Sequence, residues 1–299
     1  MNRIGVFICN YNGKDWTIGC IDSLNKQSIS NFDIFVVDNA STDGSVEIIK
    51  SRYGSRVRLI CNAENLGGAG GFDRGLRYGI ENEYEYIVLL DNDITLEADV
   101  IENMYTYMEL NSDVGIVGSK VMIMDKPEFI QDYGCKLSFD TYKEYQQYSF
   151  KGENEVPNEW EPDYVPTCAV MTRASALKIS GTMPADNFIY YDDIEMSYNL
   201  KKNGYRVVAL SSSKVYHKGG FRKAVTSTFP KYYFMRNRLH FFSKYIEEAD
   251  VEHFIDVMLN ELYLQLFGYY TKGMKELFLA VNYAFNDFLH GLRGKAENN

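Results

Sequence analysis

Apolar residues in this chain fall in short unbroken runs, each followed by a polar or glycine-rich stretch. Residues 3–9 (Arg-Ile-Gly-Val-Phe-Ile-Cys), Phe32 to Val37, Val57 to Cys61 and Ile87 to Leu90 are such runs. They have strand length and the near-continuous apolarity of strands buried on both faces. Between the first two, Trp16, Cys20, Ile21 and Leu24 recur at helical spacing, which predicts a helix reaching about Gln27. After the second run, Thr42 or Asp43 is placed to cap a helix beginning at Ser45. Strand and helix alternate four times, which predicts parallel pairing with right-handed crossovers. The loops after the strands then gather at one sheet edge and form a crevice of nucleotide size.

The pattern loosens further on. A strand is expected near residues 115–123, then an irregular Tyr-rich segment with Tyr142, Tyr145 and Tyr148. Glu153 to Asp163, with Pro157, Trp160 and Pro162, reads as a surface loop. Tyr164 to Met171 reads as a buried strand and Arg173 to Ile179 as a short helix. Asp192 and Glu195 have capping-box spacing for a helix to about Asn203, ended by Gly204. Tyr205 to Leu210 is a further strand. Two amphipathic helices are predicted at about 250–268 and 272–292. Phe254, Met258, Leu262, Leu266 and Tyr269 share one face of the first, and Leu277, Val281, Phe285 and Leu289 one face of the second. Such faces suit core packing, dimerisation or a membrane surface. We therefore divide the chain into an α/β domain, 1–240, and a C-terminal helical extension, 241–299.

Composition narrows the classes. A formal net charge of −10 argues against a nucleic-acid binder. The 24 Tyr and 18 Phe supply amphipathic surface for sugars, partners or a membrane face. Five scattered cysteines without Cys-x-x-Cys spacing read as reduced, mostly buried thiols. The N-terminus enters a strand with no signal-peptide pattern, and no run of about 18 apolar residues occurs. These features predict a cytoplasmic protein, either soluble or peripheral on the inner face of the plasma membrane. One stretch inverts the average: from Lys201 to Ile246 there are eleven Lys and Arg and no acid. That composition points to an anionic partner, a diphosphate or an anionic membrane.

Chemistry concentrates where strands end. The fourth run stops in Asp91-Asn92-Asp93. Two carboxylates at a carboxyl edge suit Mg²⁺, which takes one or two such ligands and completes its shell with substrate phosphates. A polar turn after a core strand is the alternative. The third run leads into Asn65-Leu66-Gly67-Gly68-Ala69-Gly70-Gly71, ending in Arg74-Gly75. It is a poor dinucleotide fingerprint, but bare backbone lets N–H groups and a helix N-terminus approach a diphosphate. A flexible loop explains it equally. Asp193 follows Asp192 at the start of its helix, with no capping role of its own. His217 is a structural histidine or a metal ligand.

Taken together, Asn10-Tyr11-Asn12, Asp38-Asn39-x-Ser41-x-Asp43, the glycine stretch, Asp91-Asn92-Asp93, Asp192-Asp193 and His217 resemble, in this order, family 2 glycosyltransferases. The resemblance covers about residues 3 to 240. Asn65-Leu-Gly-Gly-x-Gly-Gly-Phe-x-Arg74 and Tyr232-Tyr233-x-x-Arg236-Asn237 look like bacterial galactofuranosyltransferases and their rhamnosyltransferase relatives. The Gln-x-x-Arg-Trp of processive synthases is missing. The resemblance implies a GT-A fold, Rossmann-like, with a mostly parallel sheet flanked by helices. It implies inverting transfer of a sugar from a nucleotide donor to a glycan or polyprenyl-diphosphate-linked acceptor. UDP-galactofuranose is the favoured donor and dTDP-rhamnose the alternative. Mg²⁺ or Mn²⁺ would be held by Asp91, Asp93 and His217, and Asp193 would be the catalytic base. Asn10, Asn12, Asp38, Asn39, Asn65, Gly67, Gly68, Arg74, Asp91 and Asn92 would serve the donor. Trp160, Tyr191, Asp192 and Arg236 are acceptor-side or donor-side candidates. Asn39 stands where the family often has a second Asp, which puts base recognition in doubt. A homo-oligomer fits as well. The rivals are a nucleotidyltransferase, although no lysine-bearing glycine loop follows the first strand, and a non-catalytic carbohydrate- or lipid-binding module.

Overall fold

The apolar runs form one end of a ten-stranded sheet in a computed structural model that describes residues 2–218 and 227–296. In chain order, β1 (Ile4–Asn10), α1 (Lys14–Leu24), β2 (Phe32–Asp38), α2 (Ser45–Tyr53), β3 (Val57–Cys61), α3 (Gly67–Glu81) and β4 (Tyr86–Asp91) make the alternating half. Strands β3, β2, β1 and β4 lie side by side and parallel, as their double-sided burial requires. β5 (Ile94–Leu96), α4 (Val100–Leu110) and β6 (Val114–Ile123) follow. β7 (Lys126–Asp132), β8 (Cys135–Ser138), β9 (Lys143–Gln146) and β10 (Glu159–Trp160) fill the region that reads as irregular.

β11 (Ala169–Arg173) then inserts antiparallel between β4 and β6. It starts later than the expected strand at Tyr164. After α5 (Ala174–Ser180) and α6 (Asp192–Lys202), β12 (Arg206–His217) runs parallel to β6 and well beyond the expected end at Leu210. α7 (Thr228–Tyr245), α8 (Val251–Thr271) and α9 (Lys275–Leu289) close the chain, and α7 continues unbroken through residue 240. Nothing in the hydrophobic spacing of residues 228–245 signals α7, because most of its surface is buried on several sides.

Two core clusters line the two faces of the sheet, and a third, rich in aromatics, joins α6 to α7 and the last two helices. Phe254 and Met258 are buried in that third cluster, with Leu262, Leu266 and Tyr269 packed against it. The predicted inward face of α8 is therefore a core-packing face. Trp16 departs from its expected place. It is 45% exposed beneath the Lys218 ammonium, while Thr17 takes the buried position on α1.

The glycine stretch is helix, not loop. Gly67, Gly71, Gly75 and Gly79 form one ridge of α3 that lies directly on the sheet. A methyl group at Gly75 would sit 3.1 Å from Phe7 Cβ, and one at Gly79 would sit 2.7 Å from Ile87 Cδ1. Gly67 is the strictest position, with φ +73° and a would-be Cβ 2.7 Å from the Phe188 carbonyl carbon. We expect Gly67→Ala to combine left-handed strain of about 1–2 kcal/mol with this collision. Its melting temperature should fall by about 4 °C or more. Gly68→Ala, with open space around it, should melt within a degree or two of wild type. Equal melting of the two variants in a thermal scan would remove the close-packing account.

The basic stretch also finds its partners. Lys201, Arg206, Lys214, Lys218, Arg238 and Lys244 pair with Asp163, Glu161, Glu153, Asp125, Glu261 and Glu195, all from outside the stretch. Six of the eleven cations in the stretch are thus paired across space. Arg222 and Lys223 lie outside the described residues. Among those residues no helix is long and apolar enough to cross a membrane.

Candidate active site

Sheet register assembles the acidic cluster. β4 ends at Asp91, and the chain turns through Asn92 and Asp93 into β5. β5 pairs antiparallel with the far end of β12, which sets Ile94 opposite His217. His217 Nε2 then lies 3.1 Å from Asp93 Oδ1 and 3.7 Å from Asp91 Oδ2. One ligand atom from each of the three falls within 4.8 Å of the others. Burial pushes the Asp91 carboxyl up to about 6 against the pull of His217, and the charges of Asp93 and Asp192 add to the rise. Burial opposes an imidazolium at His217. The hydrogen bond to Asp93 and the nearby carboxylates outweigh it, so the imidazole is more basic than usual.

Two residues that sequence reasoning missed complete this corner. Gln131, near the end of β7, places its Nε2 2.8 Å from His217 Nδ1, while its Oε1 is buried with no partner. The amide fixes the ring so that Nε2 faces the two carboxylates. Its unpartnered oxygen lets it rotate to serve either tautomer without losing a hydrogen bond. Two carboxylate oxygens and an imidazole nitrogen, with room beside them, fit Mg²⁺ or Mn²⁺ that completes its shell with phosphate oxygens. Asp132 accepts hydrogen bonds from the Gly134 N–H and Gln146 Nε2, at 2.7 and 3.0 Å. Burial raises its carboxyl to about 6. Neither residue has a sequence signal, because β7 is exposed on most of its length and lacks an alternating pattern.

A cavity of about 240 Å³ joins the cluster to the start of α6. Asp91, His217, Gln131 and Asp132 line it together with Asp192, Asp193 and Gly68. Tyr191, not Asp192, is the residue at the N-cap of α6, in a left-handed conformation. The capping box therefore does not form: Asp192 is the first helical residue, and Glu195 accepts hydrogen bonds from Lys244 and Tyr245 instead. Asp192 and Asp193 both line the cavity, and Asp193 Oδ1 accepts the Ile194 N–H at 2.8 Å. Burial raises Asp192 to about 6 and Asp193 well above the usual carboxylate range, the latter with added repulsion from Asp192 and Asp132.

The approach to α6 is strained. Phe188, Tyr190 and Tyr191 all have positive φ, which bulky side chains avoid. Asn237 holds this segment by donating to the carbonyls of Asn187, Ile189 and Tyr190, and Arg236 donates to those of Asn187 and Gly294. Arg236 is only 1% exposed, so its work is positioning and not acceptor contact. Tyr191 is likewise buried, its hydroxyl donating to Glu144 at 2.8 Å. Trp160 stands on β10 outside the cavity lining, its indole N–H donating to the Tyr133 carbonyl at 2.6 Å. Of the four acceptor-side candidates, only Asp192 reaches the cavity.

Several donor candidates also turn inward. Asn10 is fully buried; its amide donates to Asp38 and Ser41, and its oxygen accepts from Gly13, Thr17 and Asn92. Asn10 and Asn92 thereby tie the ends of β1 and β4 to α1. Asn39 donates to the Gly67 carbonyl at 2.8 Å and accepts from Asn62, which pins the start of α3. A carboxylate could not donate that bond, which accounts for Asn at this position. Both Asp38 oxygens accept hydrogen bonds within the β1–β2 loops, from Asn10 and from the Ser41 N–H. Asn12 is exposed and accepts from the Thr42 N–H, and Asn65 accepts from the Gly67 N–H. Arg74 lies away from the acidic cluster. It lines a second cavity of about 310 Å³ with Asn65, Arg77 and Lys295.

Comparison with known proteins agrees with this geometry. Residues 5–180 match the model of the family described as glycosyl transferase family 2. The amylovoran biosynthesis glycosyltransferase AmsB of Erwinia amylovora is 31% identical over 134 residues, 42% of this chain and 44% of that protein. Glycosyltransferase GlyG of Streptococcus pneumoniae serotype 4 is 33% identical over 117 residues, 38% of each chain. The chain thus spans about two fifths of the length of these relatives. Among solved structures, the mannosyltransferase PcManGT from Pyrobaculum calidifontis, in complex with GDP-Man and Mn²⁺, is similar with a TM-score of 0.60 at 16% identity. That match covers 94% of this chain and 73% of the other. TarS of S. aureus is similar with a TM-score of 0.56 at 17% identity, covering 86% and 43%. These likenesses show a GT-A-type fold.

Proposed function

The chain belongs to glycosyl transferase family 2, and from that premise we propose that it transfers a sugar, with inversion, from a nucleoside-diphosphate donor to an acceptor hydroxyl. The observation that carries this reading is one cavity with two kinds of carboxylate. Asp91 and His217 line it, with Asp93 beside them on His217, and Asp192 and Asp193 line it from the start of α6. A two-substrate displacement needs a group at the leaving diphosphate and a base at the attacking hydroxyl, held apart and aligned.

Asp91, Asp93 and His217 are the residues to hold Mg²⁺ or Mn²⁺, and proteins of similar fold have been solved with Mn²⁺. When bound, the cation acts as a Lewis acid that offsets the charge gathering on the departing diphosphate. Asp193 accepts the proton of the acceptor hydroxyl as that oxygen bonds to the anomeric carbon. The anomeric carbon–oxygen bond breaks, and its electron pair leaves with the nucleoside diphosphate. Burial favours this role, since a carboxylate raised above its usual range is a better base near neutral pH. Gly68 lines the cavity and leaves bare backbone for the donor phosphates. Asn12, Asn65 and Arg74 are our candidates for the nucleoside end, with Asp38 and Asn39 shaping the loops beneath it.

By the glycine and Tyr-Tyr-x-x-Arg-Asn motifs, UDP-galactofuranose is the favoured donor and dTDP-rhamnose the alternative. The acceptor is a glycan or a polyprenyl-diphosphate-linked glycan of the cell surface; the relative AmsB is named for amylovoran biosynthesis. Incubating the protein with Mn²⁺ and a panel of nucleotide sugars tests the reading. Release of nucleoside diphosphate is expected, fastest with the cognate donor. Release of pyrophosphate would point to nucleotidyl transfer, and no turnover with any donor and acceptor to a binding module.

A further inference from the structure

The strained turn that presents Asp192 and Asp193 is held at more than one point. Asn237 ties the carbonyls of Asn187, Ile189 and Tyr190, and those bonds stop at Tyr190. The next residue, Tyr191, has φ +64° and ψ −2° although its side chain is bulky. Its carbonyl accepts the Glu195 N–H at 3.0 Å, so its backbone sets the direction of the first turn of α6. The side chain is what remains to keep Tyr191 left-handed. The residue is buried, its ring packs on Phe234 and Phe241, and its hydroxyl reaches Glu144 Oε2 at 2.8 Å. A buried phenol needs an acceptor, and a carboxylate is a strong one.

Glu144 is itself fixed. It lies on β9, which forms with β8 a two-stranded sheet apart from the main one. Arg238 of α7 donates to the Tyr142 carbonyl at 2.6 Å and pairs through both terminal nitrogens with Glu261 of α8, at 2.8 and 3.0 Å. Lys143 reaches the same Glu261 at 3.1 Å. The two residues before Glu144 are thus braced on the C-terminal helices. Among the described residues Glu144 forms no ion pair, and the Tyr191 hydroxyl is the side-chain group it binds. We infer that Glu144 is a positioning residue for the transfer: by holding Tyr191 in its left-handed conformation, it aims Asp193 into the cavity. The inference rests on the reading of Asp193 as the proton acceptor.

Transfer kinetics and hydrogen–deuterium exchange of the full chain test this. Glu144→Leu and Tyr191→Phe each remove the hydrogen bond, the second while keeping the buried ring. Each should lower kcat by about tenfold to a hundredfold, the loss that follows a misplacement of about 1 Å, with donor KM and Mn²⁺ affinity near wild type. The double variant should fall no further than either single one, because both act through one bond. Glu144→Gln keeps an acceptor oxygen and should hold kcat within about threefold of wild type. Exchange should rise at the Glu195 amide and across residues 188–195 in the two bond-deleting variants, and stay unchanged in the main sheet. A role in stability alone would lower the melting temperature and leave kcat in place. Wild-type kcat in Glu144→Leu and Tyr191→Phe would therefore overturn the inference. So would a double variant that falls by the product of the two, or Glu144→Gln falling as far as Glu144→Leu. Exchange reads the hold on Tyr191 whatever the reaction is. If the wild type turns over no donor, the transferase reading fails, while exchange at 188–195 still supports the hold by rising or overturns it by staying unchanged.

Discussion

Asp193→Asn is expected to lower turnover by about a hundredfold or more while donor binding and melting temperature stay close to wild type. The range is that of losing a positioned general base. Asp193 is not one of the three groups placed to hold the cation, so the cation and diphosphate should be little affected. Its burial also shapes the pH profile. The wild-type rate should rise with pH through a limb well above the usual carboxylate range, because the base must lose its proton first. That limb should vanish in the Asn variant. Asp192→Asn is the control, since Asp192 shares the cavity but is not the proposed proton acceptor. It should keep activity within about tenfold. Calorimetry with UDP and a transfer assay on both variants measure this. If Asp192→Asn abolishes transfer and Asp193→Asn does not, the base is Asp192.

Asp93→Asn should weaken Mn²⁺ binding by about a hundredfold or more, taking donor affinity and turnover with it. Replacing only the supporting partner of a metal ligand typically costs 10–100-fold, and Asp93 is proposed as a ligand itself. Metal-free stability supplies an independent reading. Burial raises Asp91, Asp132 and Asp192 to about 6, above the ordinary carboxylate value near 4. Between those limits the folded chain keeps protons that the unfolded chain has released. The stability this contributes is complete below about pH 4 and is lost as pH rises through 6. A divalent cation offsets the exposed repulsion above that point. The Mn²⁺-induced rise in melting temperature should therefore be small at pH 5, large at pH 7.5, and nearly absent in Asp93→Asn at both. A thermal scan with and without chelator checks this, and an equal Mn²⁺ shift in the variant would remove Asp93 from the site.

Part of this protein is legible in its sequence because the cause is local. Four apolar runs, each followed by a polar end, specify buried parallel strands and put Asp38, Asp91 and the glycine ridge at one edge. The inner face of α8 reads from spacing alone, since the helix packs on one side. The order of Asn10, Asp38, Asp91, Asp93, Asp193 and His217 along the chain was enough to suggest the family.

What tertiary structure decided is which atoms have partners. Whether the eleven cations of residues 201–246 stand free depends on carboxylates far away in the chain, and six prove paired across space. Arg236 and Tyr191 read as acceptor-side or donor-side candidates, yet both are buried around the strained segment before α6. The glycines read equally as a phosphate-binding backbone or a flexible loop, and in the structure their missing side chains let a helix approach Phe7 and Ile87. Gln131 and Asp132 enter the site on an edge strand whose pairing no periodicity announces. Pattern records which residues avoid water. Hydrogen-bond partners and register are set by segments that meet only when the sheet closes, and these give each polar side chain its task.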